Sequence, residues 1–342
     1  MRKVKLVLVG VGNLGRRFCE ILQSKGADLE RRYGLAFEVV GAADSGGAAY
    51  APEGLALADI VRLKEQGGSV ADDKAAGRPD WDALTLVEAA EADVLLEASP
   101  VNLEAGGEPG LSCIRAALRK GMHVVTPNKG PLVLAYRDLH NLAAAEGVKL
   151  RFDGTVAGGL PAINLGRRDL RGAQIHGLEA VPNLVTGYVM DMLAEGLLWD
   201  EALARARDEG VLEADAAWDL EGWDAAAKLV IMANAILDYP ATLDDVAITG
   251  ITELSEEDLQ SARDRGYRYR LLARAERRPD EAYNLSVAPV PLSPAHSLGR
   301  LGHKQIGVIF ATDIYGTITA IIDEPTPIPS SATMLRDLLD IY

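Results

Sequence analysis

One stretch of the chain concentrates side chains that could bind a cation and transfer a proton. Residues 210–230, GVLEADAAWDLEGWDAAAKLV, contain five carboxylates in front of a single lysine, Lys228. Asp224 precedes Lys228 by four residues, so a helix over 222–237 would place both side chains on one face. The alternative is an exposed ion pair at the start of a solvated helix, worth roughly 0.3–0.5 kcal/mol. The five carboxylates are those of Glu213, Asp215, Asp219, Glu221 and Asp224.

A glycine motif near the N-terminus could bind phosphate groups. The segment LVGVGNLG has the spacing G-x-G-x-x-G, directly after the strand-like segment 4–10 and at the start of the helix-like segment 13–26. In this context the motif predicts a dinucleotide site, because the backbone can approach a pyrophosphate and the helix N-terminus supplies amides and partial positive charge. The alternative is a strand-to-helix turn that merely needs glycines. The predicted pyrophosphate site consists of Gly10, Gly12, Asn13, Leu14 and Gly15.

An acid at the end of the second strand-like segment bears on the choice of cofactor. Asp44 ends the segment 36–44, where a carboxylate can accept hydrogen bonds from ribose hydroxyls. It lies 29 residues after Gly15, because ERRYGL lengthens the connection. No arginine follows Asp44 closely to neutralise a 2′-phosphate, so the sequence favours NAD over NADP.

The elements that position these groups alternate between strand and helix over the first 150 residues. This order predicts an α/β fold with a Rossmann-type doubly wound parallel sheet, an NAD(P)-binding domain over 1–150. The segment 65–80 is predicted to be a loop. The predicted strands are 4–10, 36–44, 92–99, 123–127 and 148–153, and the predicted helices are 13–26, 109–121 and 132–147.

A second domain of α+β character, for substrate binding and dimerisation, is predicted over 151–329. Its strands suggest a more antiparallel sheet. The final segment, 330–342, predicts a helix with a serine N-cap that packs back on the first domain. The predicted strands are 173–181, 267–277, 282–292, 306–314 and 315–322, and the predicted helices are 198–209 and 222–237.

Composition narrows the class of partner. The chain has 342 residues, 48% of them hydrophobic, and a formal charge of −15, which disfavours nucleic acid and anionic membranes as partners. No apolar stretch approaches the roughly 20 residues that a membrane helix needs. Cys19 and Cys113 are the only cysteines, so no disulfide framework is encoded. We therefore expect a cytoplasmic protein that acts on a small-molecule substrate.

Five segments in the same order resemble the homoserine dehydrogenase family over almost the whole chain. They are the glycine loop, HVVTPNKGP, FDGTVAGGLPAIN, EADAAWDLEGWDAAAKL and PSSATMLRDLL. The resemblance implies reversible hydride transfer between L-homoserine and L-aspartate 4-semialdehyde with NAD or NADP, in threonine and methionine biosynthesis. It also implies a homodimer. The regulatory ACT domain and the fused aspartate kinase of some members are not expected.

The resemblance implies roles for particular residues. Lys228 would be the catalytic acid and base, with Lys129 near the reacting oxygen and Asp224 as the third catalytic residue. Two lysines that converge on one oxygen would lower the pKa of one of them and stabilise an alkoxide. The residues expected around the substrate are Glu213, Asp215, Asp219, Asn183, Thr186 and Tyr188. Those expected around the cofactor, besides the glycine loop and Asp44, are Ser99, Pro100, Asn128 and Lys129. A monovalent cation would be held by Asp153, Val156 and Gly158.

Two segments depart from the family pattern. Leu184 and Val185 in AVPNLVTGYVM replace a turn of small residues that touches the substrate, and DEPTPIP (323–329) replaces glycines near the nicotinamide. These changes leave open the same hydride chemistry on a different hydroxy amino acid. A non-catalytic nucleotide-binding homologue is a further alternative, against which the retention of Lys129, Asp224 and Lys228 argues.

Overall fold

Seven strands of the N-terminal part form one sheet. The structure is a computed structural model that describes residues 1–209, 211–212 and 216–342. The strands are β1 (Arg2–Val9), β2 (Leu35–Asp44), β3 (Gly47–Tyr50), β4 (Gly77–Arg78), β5 (Val94–Glu97), β6 (His123–Val125) and β7 (Leu150–Arg151). Their order is β4-β3-β2-β1-β5-β6-β7. Neighbouring strands in the part β2-β1-β5-β6-β7 pair in parallel. Strand β3 pairs antiparallel with β2, and β4 pairs antiparallel with β3, which gives the sheet an antiparallel edge. The predicted parallel sheet is confirmed.

Helices alternate with these strands; three of the five were predicted from the sequence, and the second and third were not. They are α1 (Asn13–Tyr33), α2 (Leu57–Glu65), α3 (Ala83–Ala89), α4 (Gly110–Arg119) and α5 (Lys129–Ala145). Helix α5 begins at Lys129, three residues before the predicted start, because the Asn128 side chain caps it by accepting the Gly130 N–H at 3.0 Å. Lys129 therefore lies in the first turn of a helix.

The prediction of a loop over 65–80 is wrong in part. The segment contains β4 and a short 3-10 helix, Val70–Asp72. Ser69 and Asp72 form a reciprocal capping box: the Ser69 hydroxyl accepts the Ala71 N–H at 3.0 Å, and Asp72 accepts the Ser69 N–H at 2.8 Å. These local bonds give a polar segment a defined conformation without a hydrophobic period.

The second part of the chain forms a six-stranded sheet. Its strands are β8 (Ile175–Val181), β9 (Val246–Ile248), β10 (Arg268–Arg277), β11 (Tyr283–Leu292), β12 (Gln305–Thr312) and β13 (Thr317–Asp323). The order is β13-β12-β8-β10-β11-β9, and every pair is antiparallel except β11 with β9. The predicted antiparallel character is confirmed.

Helices α7 and α10 pack against β10 of this sheet. The helices are α6 (Ala162–Asn164), which continues as a π-helical turn over Leu165–Asp169, α7 (Leu184–Ala194), α8 (Trp199–Asp208), α9 (Ala217–Leu220), α10 (Trp223–Ile236) and α11 (Glu256–Asp264). Helix α7 was not predicted. Eight of its 11 residues are buried, so its apolar residues show no one-sided period. None of the helices among the described residues is long and apolar enough to span a bilayer.

The last helix, α12 (Ile328–Leu339), packs against α1, where Met334 and Leu338 join a core cluster with Phe18. Contacts divide the chain into two units, Met1–Thr155 with Thr326–Tyr342, and Val156–Pro325. The predicted serine cap is wrong. Pro327 occupies the N-cap position and makes no side-chain hydrogen bond. A second proline lies in the first turn of the helix, where the N–H that proline lacks would have no partner within the helix.

Helix α12 also carries a buried carboxyl group. Asp337 is 1% exposed and accepts the Asp153 N–H at 2.9 Å, while the Asp153 carboxylate pairs with Arg336. Burial, followed by the charge of Asp153, raises the pKa of Asp337 from 3.8 to about 7. The folded state therefore keeps a proton on Asp337 that the unfolded chain loses at lower pH, and stability falls as the pH rises from about 4 to about 7.

Replacing Asp337 with Asn should remove this loss of stability at rising pH. An amide oxygen can still accept the Asp153 N–H, but there is no charge to bury. Between pH 5 and pH 8 the free energy of unfolding of Asp337→Asn should rise by about 2 kcal/mol relative to wild type. Urea denaturation followed by circular dichroism at both pH values measures it, with the exposed Asp138→Asn as the matched control. Parallel pH profiles for wild type and Asp337→Asn would contradict the assignment.

Candidate active site

The glycine loop lies where β1 and β5 end side by side. Gly10 has φ +89°, and a Cβ there would lie 2.3 Å from the Ala98 carbonyl carbon and oxygen. A Cβ on Gly15 would lie 2.2 Å from the Gly10 oxygen. A Cβ on Gly12 meets nothing within 4 Å, so this backbone is open to an approaching ligand. The loop therefore has the cradle that a dinucleotide requires at this edge of a parallel sheet.

A pocket of about 490 Å³ continues from this loop, a volume in the range of small-molecule sites. The predicted residues Gly10, Asp44, Ser99 and Pro100 line it, together with Trp81, whose ring stacks on Tyr50 at 5.9 Å between centroids. Sequence reasoning missed Trp81; its only signal is an aromatic residue within the polar segment RPDWD. The remaining lining residues are Val9, Ala43, Ser45, Gly46, Gly47, Pro79, Asp80, Asp82, Ala83, Leu84 and Pro109.

The Asp44 carboxylate is held by groups of its own chain. Lys64 Nζ lies 2.6 Å from Oδ2, and the Ser69 hydroxyl donates to Oδ1 at 2.7 Å. The N–H groups of Gly46 and Val70 donate at 2.9 and 3.1 Å. Burial alone would raise the pKa of Asp44, but these four donors outweigh it and lower the pKa. Asp44 is thus an ionised acid beside the pocket, fixed before any ligand binds.

A buried polar network joins the ends of β5 and β6. Glu97, at the end of β5, is fully buried and accepts hydrogen bonds from the Ser99 N–H at 2.9 Å, the Ser99 hydroxyl and the Thr126 hydroxyl at 3.0 Å. Asn128 donates its N–H to Thr126 Oγ1 at 3.0 Å and its side-chain amide to Ser99 Oγ at 3.3 Å. The predicted cofactor residues Ser99 and Asn128 are therefore brought together by Glu97 and Thr126, neither of which was predicted.

The other predicted cofactor residues flank this network. Asn13 is exposed and Leu14 half-buried in the first turn of α1, and Pro100 is exposed after β5. Lys129 is half-buried in the first turn of α5, directly after Asn128. All of them lie within the unit that contains the glycine loop.

In the second unit, Lys228 and Asp224 form an ion pair on α10. Lys228 Nζ lies 2.7 Å from Asp224 Oδ2 and donates to the Pro182 carbonyl at 2.7 Å. The two side chains are only 14% and 12% exposed, which excludes the exposed ion pair that the sequence left as an alternative. A partly desolvated pair of this kind is stronger and more fixed than a surface pair.

Asn183 connects this pair to a second carboxylate. Its side-chain amide donates to Asp219 Oδ1 at 2.5 Å and to Asp224 Oδ2 at 2.7 Å. The amide oxygen caps α7 by accepting the Val185 N–H at 2.7 Å. Asn183 thus fixes both the start of α7 and the carboxylates of Asp219 and Asp224. We call Asp219, Asp224 and Lys228 the acid–lysine cluster.

Two predicted substrate residues lie on α7, below this cap. Thr186 and Tyr188 are 1% and 2% exposed. Within the part of the chain that the structure describes, the Thr186 hydroxyl has no hydrogen-bond partner. The departing residues Leu184 and Val185 are half-buried and open the same helix. The structure therefore brings Asn183, Thr186 and Tyr188 onto one helix.

Glu213 and Asp215, also predicted to bind the substrate, lie outside the described residues. Trp218 and Trp223 flank Asp219 and Asp224 and contact each other at 5.8 Å between ring centroids. Both rings are 37% exposed.

The predicted cation residues are found in different surroundings. Asp153 is 1% exposed, and its carboxylate pairs with Arg336. In the second unit Val156 is buried, and Gly158 has φ +54°, so that its backbone accommodates the Glu324 carboxylate where a Cβ would clash. Glu324, in the divergent DEPTPIP segment, accepts the Gly159 N–H at 3.2 Å. Among the described residues no group of three or more acids, histidines or cysteines could hold a metal ion, and the monovalent cation stays a prediction.

Two family models match the chain. The model described as homoserine dehydrogenase matches residues 161–339, and the model described as homoserine dehydrogenase, NAD binding domain, matches residues 10–153. Between them they cover both units.

Two relatives match over almost their full length. A homoserine dehydrogenase of Methanocaldococcus jannaschii is 34% identical over 341 residues, 98% of each chain. An NAD(+)-dependent homoserine dehydrogenase of Pseudomonas canavaninivorans is 32% identical and covers 100% of this chain and 97% of its own. The solved structure of a hyperthermophilic archaeal homoserine dehydrogenase in complex with NADPH matches with a TM-score of 0.85 and 25% identity, over 99% of this chain and 98% of that one.

Two alanine substitutions in the glycine loop should separate folding from cofactor binding. Gly12→Ala places its Cβ in open space, so the melting temperature should stay at the wild-type value while the Kd for NAD weakens about tenfold or more. Gly10→Ala should cost more than about 3 kcal/mol of stability, because φ is positive and the Cβ meets the Ala98 backbone. Calorimetric titration with NAD and thermal denaturation measure the two effects. Unaltered NAD binding by Gly12→Ala would show that the cofactor does not approach this backbone.

Proposed function

Because the chain belongs to the homoserine dehydrogenase family, we propose that Lys228 transfers the proton in the reversible oxidation of L-homoserine to L-aspartate 4-semialdehyde. The observation that carries this assignment is the buried contact of Lys228 Nζ with Asp224 and the Pro182 carbonyl. A bound NAD or NADP supplies the hydride acceptor or donor for this reaction. The protein must then supply a group that exchanges a proton with the substrate oxygen.

The surroundings of Lys228 suit this exchange in a defined way. The Asp224 carboxylate and the Pro182 carbonyl both contact Lys228 Nζ, and an ammonium group at this position can donate a proton to the aldehyde oxygen. In the direction of homoserine oxidation the amine form accepts the hydroxyl proton. The two protein acceptors keep Nζ in one position in both directions, so the proton moves at a fixed site.

We propose that the carboxylates of the acid–lysine cluster bind the substrate's ammonium group. Asp219, Asp224 and Lys228 together carry a formal charge of −1, which attracts a cation. Asn183 holds the two carboxylates through its amide hydrogens, so that they are placed before the substrate arrives. Glu213, Asp215, Thr186 and Tyr188 stay predicted substrate residues.

For the cofactor, we propose that Gly10, Gly12 and Gly15 bind the pyrophosphate and that NAD is preferred to NADP. The ionised Asp44 beside the pocket supports this preference, because a 2′-phosphate would bring a second anion next to it. Lys64 offsets part of that charge and moderates the preference. Lys129, in the first turn of α5, is the second cation that we propose for the developing alkoxide.

Lys228→Met should lower kcat for homoserine oxidation by about a thousandfold, the range of a general acid–base group, while the Kd for NAD stays unchanged. Methionine has a similar length and no proton to transfer. The measurement is absorbance at 340 nm with purified protein, homoserine, and NAD or NADP in separate reactions. Lys25→Met, an exposed lysine of α1, is the matched control and should retain wild-type activity.

Either of two results would refute the assignment. Wild-type protein that binds NAD but shows no homoserine-dependent reduction of either cofactor would reject homoserine as the substrate. Lys228→Met with more than about a tenth of the wild-type kcat would show that another group moves the proton.

We also propose a homodimer formed through the six-stranded sheet, in the cytoplasm. The edge strand β13 exposes Ile321, and the turn before it exposes Ile314 and Tyr315, an apolar edge of the kind that a second chain covers. Both cysteines are free and buried, as suits a reducing compartment.

Light scattering should give twice the protomer mass of 36.5 kDa for wild type. Ile321→Lys should shift the mass toward the monomer, because a charge is then desolvated at the edge. The conservative Ile321→Val should keep the wild-type mass. A wild-type mass of one protomer at micromolar concentration would contradict the dimer.

A further inference from the structure

The Glu97 carboxyl group is fully buried. It lies at the end of β5 with no exposed surface, and among the described residues none forms an ion pair with it. Burial, and then the charge of Glu97, raise the pKa of Cys113 on α4 to about 12, so that this thiol is neutral. Burying a carboxyl group without a counter-ion is costly, so its hydrogen bonds carry its compensation.

The hydrogen-bond pattern fixes which way the protons point. Thr126 Oγ1 accepts the Asn128 N–H, and Ser99 Oγ accepts the Asn128 side-chain amide, so each hydroxyl is left to donate its own proton to Glu97. With the Ser99 N–H, Glu97 then faces donors on both oxygens. Burial raises the pKa of Glu97 by more than the donors from Ser99, Thr126 and Asn128 lower it, so the net shift is upward. Because both carboxyl oxygens face donors, the ionised form is nonetheless the one that this hydrogen-bond network stabilises.

The network has no room to rearrange. A Cβ on Gly110, at the start of α4, would lie 2.8 Å from the Asn128 amide nitrogen and 3.0 Å from Glu97 Oε2. The backbone of α4 therefore covers the network directly. Because Asn128 also caps α5, the same bonds set the first turn of the helix that carries Lys129.

We propose that Glu97 is the positioning residue of the cofactor site. Its buried negative charge also strengthens the binding of the oxidised cofactor relative to the reduced cofactor, compared with a neutral residue at this position. This inference rests on the proposed cofactor site. Glu97 fixes Ser99, which lines the pocket beside Gly10, and Asn128, which follows the neighbouring strand. The nicotinamide ring is positively charged only when oxidised, and ligands of such sheets bind at the carboxyl ends of the strands, where Glu97 lies. A charge without a counter-ion in a low-dielectric interior acts over several ångströms.

The test is the ratio of the Kd for NAD⁺ to the Kd for NADH, measured by calorimetric titration without substrate. Glu97→Gln keeps the shape and removes the charge, and it should raise this ratio about tenfold, the order of magnitude for one buried charge acting on another. Thr126→Val is the matched control: it removes one donor to the network and leaves the charge. It should weaken both cofactors to a similar extent and leave the ratio within about twofold of wild type.

Glu97→Asp is the second variant, and thermal denaturation accompanies all three. It retains the charge but withdraws the carboxylate by one methylene, so both Kd values should rise while the ratio stays at the wild-type value. If Glu97→Gln does not fold, Glu97→Asp and Thr126→Val still decide the matter, since a changed ratio in either overturns the electrostatic role. An unchanged ratio in folded Glu97→Gln overturns it as well.

Failure of this inference can be distinguished from failure of the proposed function. The titrations contain no homoserine, so they are informative even if homoserine is not turned over. Conversely, a wild-type protein that oxidises homoserine, with a ratio insensitive to Glu97→Gln, would keep the function and reject the role of Glu97.

Discussion

The close approach of backbone between the ends of β1 and β5 is the constraint on which the first unit depends. At Gly10 the chain turns with a positive φ against the Ala98 carbonyl, at a separation that leaves no space for a side chain. Parallel pairing of β1 with β5 imposes this approach, since both strands end at the same edge. The turn is followed by α1, whose Phe18 and Leu22 pack against residues of β1 and β2, and it leaves Gly12 as open backbone. Ser99, two residues after β5, is brought to the same pocket by the same pairing.

In the second unit, two carboxylates and an ammonium group lie close together and are partly shielded from water. A helical spacing of four residues places Asp224 beside Lys228, but Asp219 lies on another helix, beyond Gly222. The amide of Asn183 binds both acids, because it donates one hydrogen to each carboxylate. Its oxygen is at the same time the cap of α7. The positions of the two acids and the start of that helix are therefore coupled, and Leu184 and Val185 are the first residues of the helix.

Much of this arrangement could be predicted from the sequence where one physical signal dominates. Buried parallel strands such as VKLVLVG are continuous apolar runs, and the glycine motif fixes the first turn by sterics alone. The prediction failed where tertiary contacts decide. Helix α7 is apolar all round, and the segment 65–80 is ordered by local hydrogen bonds. The role of Asn183 as a bridge depends on residues 36 and 41 positions away. Glu97 did have a signal, an acid within the apolar run VLLEA, which a search for buried charges would have found.

Three acids of the first unit show how differently a fold can treat the same functional group. Asp44 has a lysine and three further donors, so that its charge is held and partly neutralised at the pocket. Asp337 lies beside a second carboxylate, Asp153, and its charge is suppressed by a raised pKa. Glu97 has hydrogen bonds from neutral donors alone, which support a charge without cancelling its field. A field that is neither cancelled nor solvated acts on whatever binds nearby, and Glu97 is placed at the ligand-binding edge of the sheet. The position of an acid in the fold, more than its residue type, thus decides whether its charge is neutralised by the protein or can act on a bound cofactor.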